Sequence, residues 1–219
     1  IEAVLQVLRG DWLTQGPLVR EFEVSLAKEM GARYACAVSN GTAALHLVGL
    51  ALGWKSGDLI VTTPMSFVAS ANCILHTGAT PIFVDIHPKT YTIDPDQLED
   101  HVRNLRRANR PIKAVIAVDF AGHPADWVAL REIADQYELF LVNDNAHALG
   151  AKYKGSSQYA AKYADAVTLS FHPVKVVTSG EGGAIVTNDS FINEKIMQLR
   201  THGITKNQTQ LKKKNEGPW

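Results

Sequence analysis

Cysteine is scarce in this chain: there are two in 219 residues, Cys36 and Cys73. Each lies inside an apolar run, YACAV and ANCILH. A small buried hydrophobe is the usual role there, so no structural disulfide is expected and a reducing compartment fits. Net charge is missing too. Twenty-two basic residues balance 22 acidic ones, leaving no global field to draw the chain to nucleic acid or an anionic membrane. No apolar run approaches the roughly 20 residues of a membrane span, and no basic-then-apolar leader precedes the first helical pattern. The chain therefore reads as soluble and cytoplasmic, with neither nucleic acid nor membrane among its partners. Its eight histidines lack H-x-x-x-H or comparable ligand spacing, so no metal site is expected. Neither G-x-G-x-x-G nor G-x-x-x-x-G-K occurs, which argues against a dinucleotide or nucleotide-triphosphate loop.

What is present is a hydrophobic content of 46%, enough for one sizeable domain with a real core. An amphipathic opening, IEAVLQVLRG, and a loop, DWLTQGP, make an N-terminal helix and loop over residues 1–16. From residue 17 onward the spacing predicts a helix of about four turns, with Leu18, Phe22, Leu26 and Met30 recurring every four residues and Gly31 placed to end it. Short apolar runs then alternate with helical patterns: YACAV, TAALHLVGLAL, DLIVT, SFVASANCILH and TPIFVDI. The rhythm continues through DPDQLEDHVRNLRR, IKAVIAVDF, ADWVALREIADQY, LFLVND, DAVTLS and GGAIVTN. Near-continuous Val, Ile and Leu runs mark strands buried on both faces. The expected fold class is α/β, a mostly parallel open sheet sandwiched by helices. The chain opens inside a helical pattern and closes on a polar stretch that completes no element, so it reads as a fragment. Lys212 to Lys214 in that stretch read as a solvated loop.

Ligands of open α/β sheets lie outside the carboxyl ends of the strands, and the chemistry-bearing residues cluster at those positions. In SNGTAAL, a glycine and Thr42 open a helix directly after a strand. Free N–H groups and a hydroxyl at the positive end of the helix dipole suit a phosphate, although an ordinary N-cap has the same appearance. In LSFHPVK, Ser170 ends a strand and Lys175 follows five residues on. A lysine at the mouth of a sheet can serve as a Schiff-base amine, because partial burial frees the neutral nucleophile; a solvated loop lysine is the plainer alternative. In FLVNDNAHALGA, Asp144 ends a buried strand. A carboxylate there can keep a pyridine nitrogen protonated, or simply cap a helix.

Order and spacing join these signals. The run DWLTQGP with EFE, SNGTAAL, TTPMSFVASAN, TPIFVDI, NDNAHALGA, SFHPVK, GEGGAIVTND and LRTHGI resembles the DegT/StrS-type sugar aminotransferases, a branch of the fold type I pyridoxal-phosphate enzymes, nearly end to end. The resemblance implies that residues 17–219 are the large domain that binds pyridoxal 5'-phosphate, and that a C-terminal small domain is absent from this chain. It implies that Lys175 is the Schiff-base lysine, Asp144 the partner of the pyridine nitrogen, and His147 the neighbour of the cofactor's phenolic oxygen. It matches Thr42, Ala43 and Ser170 to phosphate contacts and Phe67 to the residue stacked on the ring. Thr14, Gln15 and Gly16 correspond to a segment near the substrate. Asn143 departs from the pattern, since the family usually carries an acidic residue there.

A subset of relatives has histidine in place of the lysine and performs dehydration; Lys175 favours transamination. LTQG, SFVASAN, HALGA and SFHPVK followed by GEGG are most similar to the branch that serves pseudaminic acid biosynthesis. The implied reaction moves an amino group from L-glutamate to the 4-keto group of a UDP-linked 6-deoxy N-acetylhexosamine, in a homodimer. The rival readings are an aminotransferase for another 3- or 4-keto sugar, a non-catalytic regulatory relative, and a nucleotide-binding α/β domain without pyridoxal.

Overall fold

The computed structural model describes residues 1–204, so Lys212 to Lys214 lie outside the described residues. In chain order the elements are helices α1 (Glu2–Arg9) and α2 (Pro17–Met30), strand β1 (Tyr34–Val38), α3 (Gly41–Ala51), β2 (Leu59–Thr62), α4 (Ala69–His76), β3 (Thr80–Phe83) and α5 (Pro95–Arg107). There follow β4 (Ile112–Val118), a 3-10 turn (Phe120–Gly122), α6 (Trp127–Tyr137), β5 (Phe140–Asp144), α7 (Tyr159–Tyr163), β6 (Ala166–Ser170), β7 (Gly183–Thr187) and α8 (Ser190–Arg200). Every strand and helix anticipated from periodicity is present. The short α7 and the eleven-residue α8 were not anticipated. For α8 the cue was in the sequence: Asp189 caps it, accepting from the N–H groups of Phe191 (2.7 Å) and Ile192 (3.1 Å), which contributes about 1 kcal/mol.

Among the described residues, seven strands form one sheet in the order β1-β7-β6-β5-β4-β2-β3. β3, β2, β4, β5 and β6 run parallel, while β7 is antiparallel to both β6 and β1. The reason for the continuous apolar runs is visible in the packing. Val61, Val115, Leu141 and Val167 face a core closed by residues of α2, α5, α6 and α7, including Met30, Leu98, Trp127 and Tyr159. Their chain neighbours Ile60, Ile116, Val142 and Ala166 face a second core, closed by Leu45, Val48, Ile74 and Ile196 of α3, α4 and α8. Alternation sends successive residues to opposite faces, and both faces are covered. Trp127 and Leu130 are fully buried, each worth about 1.5–3 kcal/mol by transfer of apolar surface.

α2 spans about the expected four turns and ends at Gly31 in a left-handed conformation (φ 65°). The stripe on α2 is buried only in its last turns: Leu26, Ala27 and Met30 are inside, while Leu18 and Phe22 are 49% and 42% exposed. Glu23 turns inward instead, because its carboxylate accepts from the Ala37 N–H (3.0 Å) and pairs with Arg200, which also donates to the Ala37 carbonyl (3.1 Å). The amphipathic α1 buries none of its residues against the described part of the chain.

Candidate active site

β1, β2, β4, β5 and β6 all point one way, so their carboxyl ends bring Val38, Thr62, Val118, Asp144 and Ser170 to one rim of the sheet. Gly183, the first residue of the reversed β7, lies between Val38 and Ser170 in register. Its size is obligatory: a Cβ there would meet the Asn40 carbonyl carbon at 2.4 Å. Gly41 faces the same limit, since a Cβ would approach the Ser170 Cβ to 2.9 Å. Two hydrogen-only side chains thus let the start of α3 press against the end of β6.

This contact builds a corner lined by hydrogen-bond donors. Thr42 is exposed in the first turn of α3, and Ser170 is half-buried beside it. Asn40 caps the helix, its Oδ1 accepting from the Ala43 N–H at 2.8 Å. Of the three residues matched to phosphate, Ala43 therefore has its N–H already engaged, whereas the N–H of Thr42 has no partner among the described residues. A small anion fits here on two grounds, the helix dipole and the unengaged donors.

Across the rim, Asp144 is 6% exposed at the last position of β5. Ser70, on the first turn of α4, donates to its Oδ2 at 2.6 Å, and the Ala146 N–H reaches its Oδ1 at 3.3 Å. No helix follows directly; residues 146–150 form turns, so the helix-cap alternative does not hold. Burial pushes the Asp144 carboxyl above the usual carboxylate range, while Ser70, the Ala146 N–H and the charges of His147 and Lys175 pull it down. His147 is driven the other way, downward, first by burial and then by the Lys175 ammonium, against the pull of Asp144. Its Nδ1 is buried without a hydrogen-bond partner among the described residues.

Lys175 belongs to the loop joining β6 to β7. Val174 and Val176 on either side of it are 77% and 71% exposed, while Lys175 itself is half-buried. Its side chain is therefore turned in, where its charge acts on both Asp144 and His147. Phe67 stands just before α4, 68% exposed, at the same end of the sheet as the carboxyl end of β2. Thr14, Gln15 and Gly16 form an exposed-to-half-buried loop between α1 and α2, with Gln15 in a left-handed backbone conformation (φ 53°). Among the described residues no three His, Cys, Asp or Glu side chains are grouped as metal ligands, and no helix is long and apolar enough to cross a membrane. Both cysteines are free and buried.

A lysine, an imidazole and a buried acid thus gather at the carboxyl rim of a mostly parallel sheet, and the fold is that of the fold type I aminotransferases. The family can be stated more narrowly. The sequence model of the DegT/DnrJ/EryC1/StrS aminotransferase family matches residues 1–217, and the chain belongs to that family. Aminotransferases of the family use pyridoxal 5'-phosphate.

The chain is 39% identical to the UDP-4-amino-4,6-dideoxy-N-acetyl-beta-L-altrosamine transaminase of Campylobacter jejuni, over 94% of this chain and 53% of that protein. It is 37% identical to the GDP-perosamine synthase of Escherichia coli O157:H7, over 93% of this chain and 54% of that protein. Helicobacter pylori PseC, an aminotransferase involved in the biosynthesis of pseudoaminic acid, superimposes with a TM-score of 0.87 at 34% identity, covering 100% of this chain and 57% of PseC. The chain thus spans about half the length of the curated relatives it matches.

Sequence reasoning did not find Ser70, Asp119 or the role of Gly183. The nearest signal for Asp119 was its position at the end of the run IKAVIAVDF, where strand-end residues gather; for Ser70 there was none, because its partner is 74 residues away.

Proposed function

We propose that this chain is the cofactor-binding part of a nucleotide-sugar aminotransferase that moves an amino group from L-glutamate to the 4-keto group of a nucleotide-linked 6-deoxy sugar. The observation that carries the reading is the convergence of Lys175, Asp144 and His147 at one rim, with the α3 corner at the end of the neighbouring strand β6. When bound there, pyridoxal phosphate supplies the electron sink that amino-group transfer requires. The chain's own residues supply the rest.

Thr42, Ser170 and the first turn of α3 would hold the phosphate, with Ala43 available only if Asn40 releases its N–H. Phe67 would lie against the ring with its apolar face. Burial disfavours the anion of Asp144, and a protonated ring nitrogen facing it would offset that cost. His147 has an unengaged nitrogen to offer the phenolic oxygen. Lys175 would hold the aldehyde through Nζ and, once released, carry protons at that atom as general base and then acid. Thr14 to Gly16 would border the sugar.

The finer substrate reading is a UDP-4-keto-6-deoxy-N-acetylhexosamine of pseudaminic acid biosynthesis, supported by the likeness to the Campylobacter transaminase and to PseC. A GDP-linked 4-keto sugar is the second reading, because the likeness to GDP-perosamine synthase is nearly equal. We further propose that residues 17–219 act as one cofactor-binding unit after an N-terminal helix and loop (1–16), working as a homodimer in the cytoplasm, with the two free buried thiols fitting that compartment.

The experiment is a coupled assay of the complete polypeptide with glutamate and pyridoxal phosphate against UDP-, GDP- and dTDP-linked 4-keto sugars. Borohydride reduction and peptide mapping run alongside it. Cofactor fixed to Lys175 and turnover of the UDP sugar are expected. Fixation at another lysine, or no turnover of any sugar, overturns the reading.

A further inference from the structure

Directly behind Asp144, on the opposite face of the sheet, is a second carboxylate that the site above does not use. Asp119 follows the last residue of β4 and is fully buried. Five donors converge on it. The Ala125 N–H (2.9 Å) and Trp127 Nε1 (3.0 Å) reach Oδ1. The Tyr159 hydroxyl (2.7 Å), Asn145 Nδ2 (2.9 Å) and Asn143 Nδ2 (3.1 Å) reach Oδ2.

Two of the five belong to the residues that flank Asp144 in the chain. The main chain ties the same place, with the Asp119 N–H on the Asp144 carbonyl (3.1 Å) and the Asn145 N–H on the Thr168 carbonyl (3.0 Å). Because neighbouring strand residues face opposite sides, gripping 143 and 145 from one face fixes where 144 points on the other. The turn after Asp119 is also strained, with Ala121 in a left-handed conformation (φ 52°, ψ 24°). A non-glycine residue holds that conformation only where its surroundings over-determine it.

We infer that Asp119 is a positioning residue: by clamping Asn143 and Asn145 it aims the Asp144 carboxylate, steadied by Ser70, at the ring nitrogen of the cofactor. The inference rests on the role proposed for Asp144. The donor set calls for a carboxylate at 119, since an amide there turns an N–H toward other donors. Burial raises the Asp119 carboxyl, while the hydrogen bonds from Tyr159, Ala125, Asn143 and Trp127 draw it back. A buried, fully connected network could serve rigidity alone, and the test separates the two roles.

Three variants of the complete polypeptide carry the comparison: Asp119→Asn, the exchange Asp119→Asn/Asn143→Asp, which returns a carboxylate to the cluster from the next strand, and Asn145→Ala, which keeps the acid and removes one grip. Amide hydrogen exchange at Asn145 is measured without cofactor; the pH midpoint of the bound cofactor's absorption bands, kcat and KM are measured with it. For Asp119→Asn we expect exchange at Asn145 about tenfold faster or more. The absorption midpoint is expected to move by about half a pH unit or more. A kcat about tenfold lower with KM nearly unchanged is the signature of an interaction needed for the chemical step. The exchanged pair should recover most of each.

A destabilised Asp119→Asn protein with the wild-type absorption midpoint and kcat overturns the inference. If that variant does not fold, Asn145→Ala decides, and a wild-type midpoint there overturns it equally. If the wild type takes up no pyridoxal phosphate, the proposed function fails; unchanged exchange at Asn145 in Asp119→Asn then refutes the clamp separately, and faster exchange retains the clamp while removing its catalytic purpose.

Discussion

Ser70 Oγ donates to Asp144 Oδ2 over 2.6 Å, and both groups are shut away from solvent. The bond joins α4 to the end of β5 and favours the ionised acid, because a carboxylate oxygen accepts the hydroxyl proton best. In Ser70→Ala that oxygen loses its donor. Hydrogen bonds to charged groups contribute about 1.5–3 kcal/mol, and a loss of that size in chemical denaturation is expected, together with a further rise of the Asp144 pKa. A carbon-13 NMR titration of the aspartate carboxyls reads the second effect; an unmoved Asp144 resonance would mean that the bond does not tune the acid.

Burial holds the Asp144 carboxyl above its unfolded value. An acid raised in this way adds stability below its unfolded pKa and loses it as pH climbs through the folded one. At pH values above its unfolded pKa this contribution is therefore lost, which weakens the cofactor-free fold. Asp144→Asn is expected to raise the Tm of cofactor-free protein by about 2–4 °C for each kcal/mol relieved near neutral pH, with the advantage vanishing as pH falls into the acid range. Thermal melts across pH check the sign, and a variant less stable than wild type at neutral pH would contradict the account.

Lys175 is half-buried in a loop between exposed valines, so its side chain contributes little to packing. Lys175→Ala should leave the unfolding midpoint within about 0.5 kcal/mol of wild type and abolish borohydride-stable labelling. Loss of its acid-base work should lower turnover by about 10²–10⁴-fold or more. Sugar amination at the wild-type rate would remove Lys175 from the chemistry.

The close approach of Gly183 to the Asn40 carbonyl predicts a specific cost for one methyl group. Gly183→Ala has to push the start of α3 away from β7, since the atoms in the way are backbone, and overpacking of this kind costs about 1–3 kcal/mol. Equilibrium unfolding measures that loss, and fluorescence titration should show weaker uptake of pyridoxal phosphate. A variant with lower stability and undiminished affinity would dissociate the corner from phosphate binding.

The α/β class and its elements were legible because each central strand is buried on both faces, so Val, Ile and Leu run without interruption in IKAVIAV and FLV. The placement of Asp144 and Ser170 at strand ends, with Lys175 in the loop after β6, was legible from where the apolar runs stop. Strand order was not: the rhythm from YACAV to DLIVT looks like an adjacent pair, yet β1 and β2 lie toward opposite edges of the sheet. The reversal of β7 was equally hidden, since a chain's direction leaves no mark on its hydrophobic pattern. Glu23 and Asp119 were missed for one reason. Their burial depends on partners as distant as Arg200 and Tyr159, and a short window cannot see a carboxylate's donors.

Because β7 runs back alongside β6, the twelve residues from Phe171 to Gly182 leave and re-enter the sheet at neighbouring positions, Ser170 opposite Gly183. The mouth of that excursion is stitched by the Phe171 N–H to the Gly182 carbonyl (2.8 Å) and the Ser179 N–H to the Phe171 carbonyl (3.1 Å). The amine thus rides on a tethered arm with a fastened root. From that root, the distance the Lys175 amine spans beyond its Cα is the length of its own four methylenes.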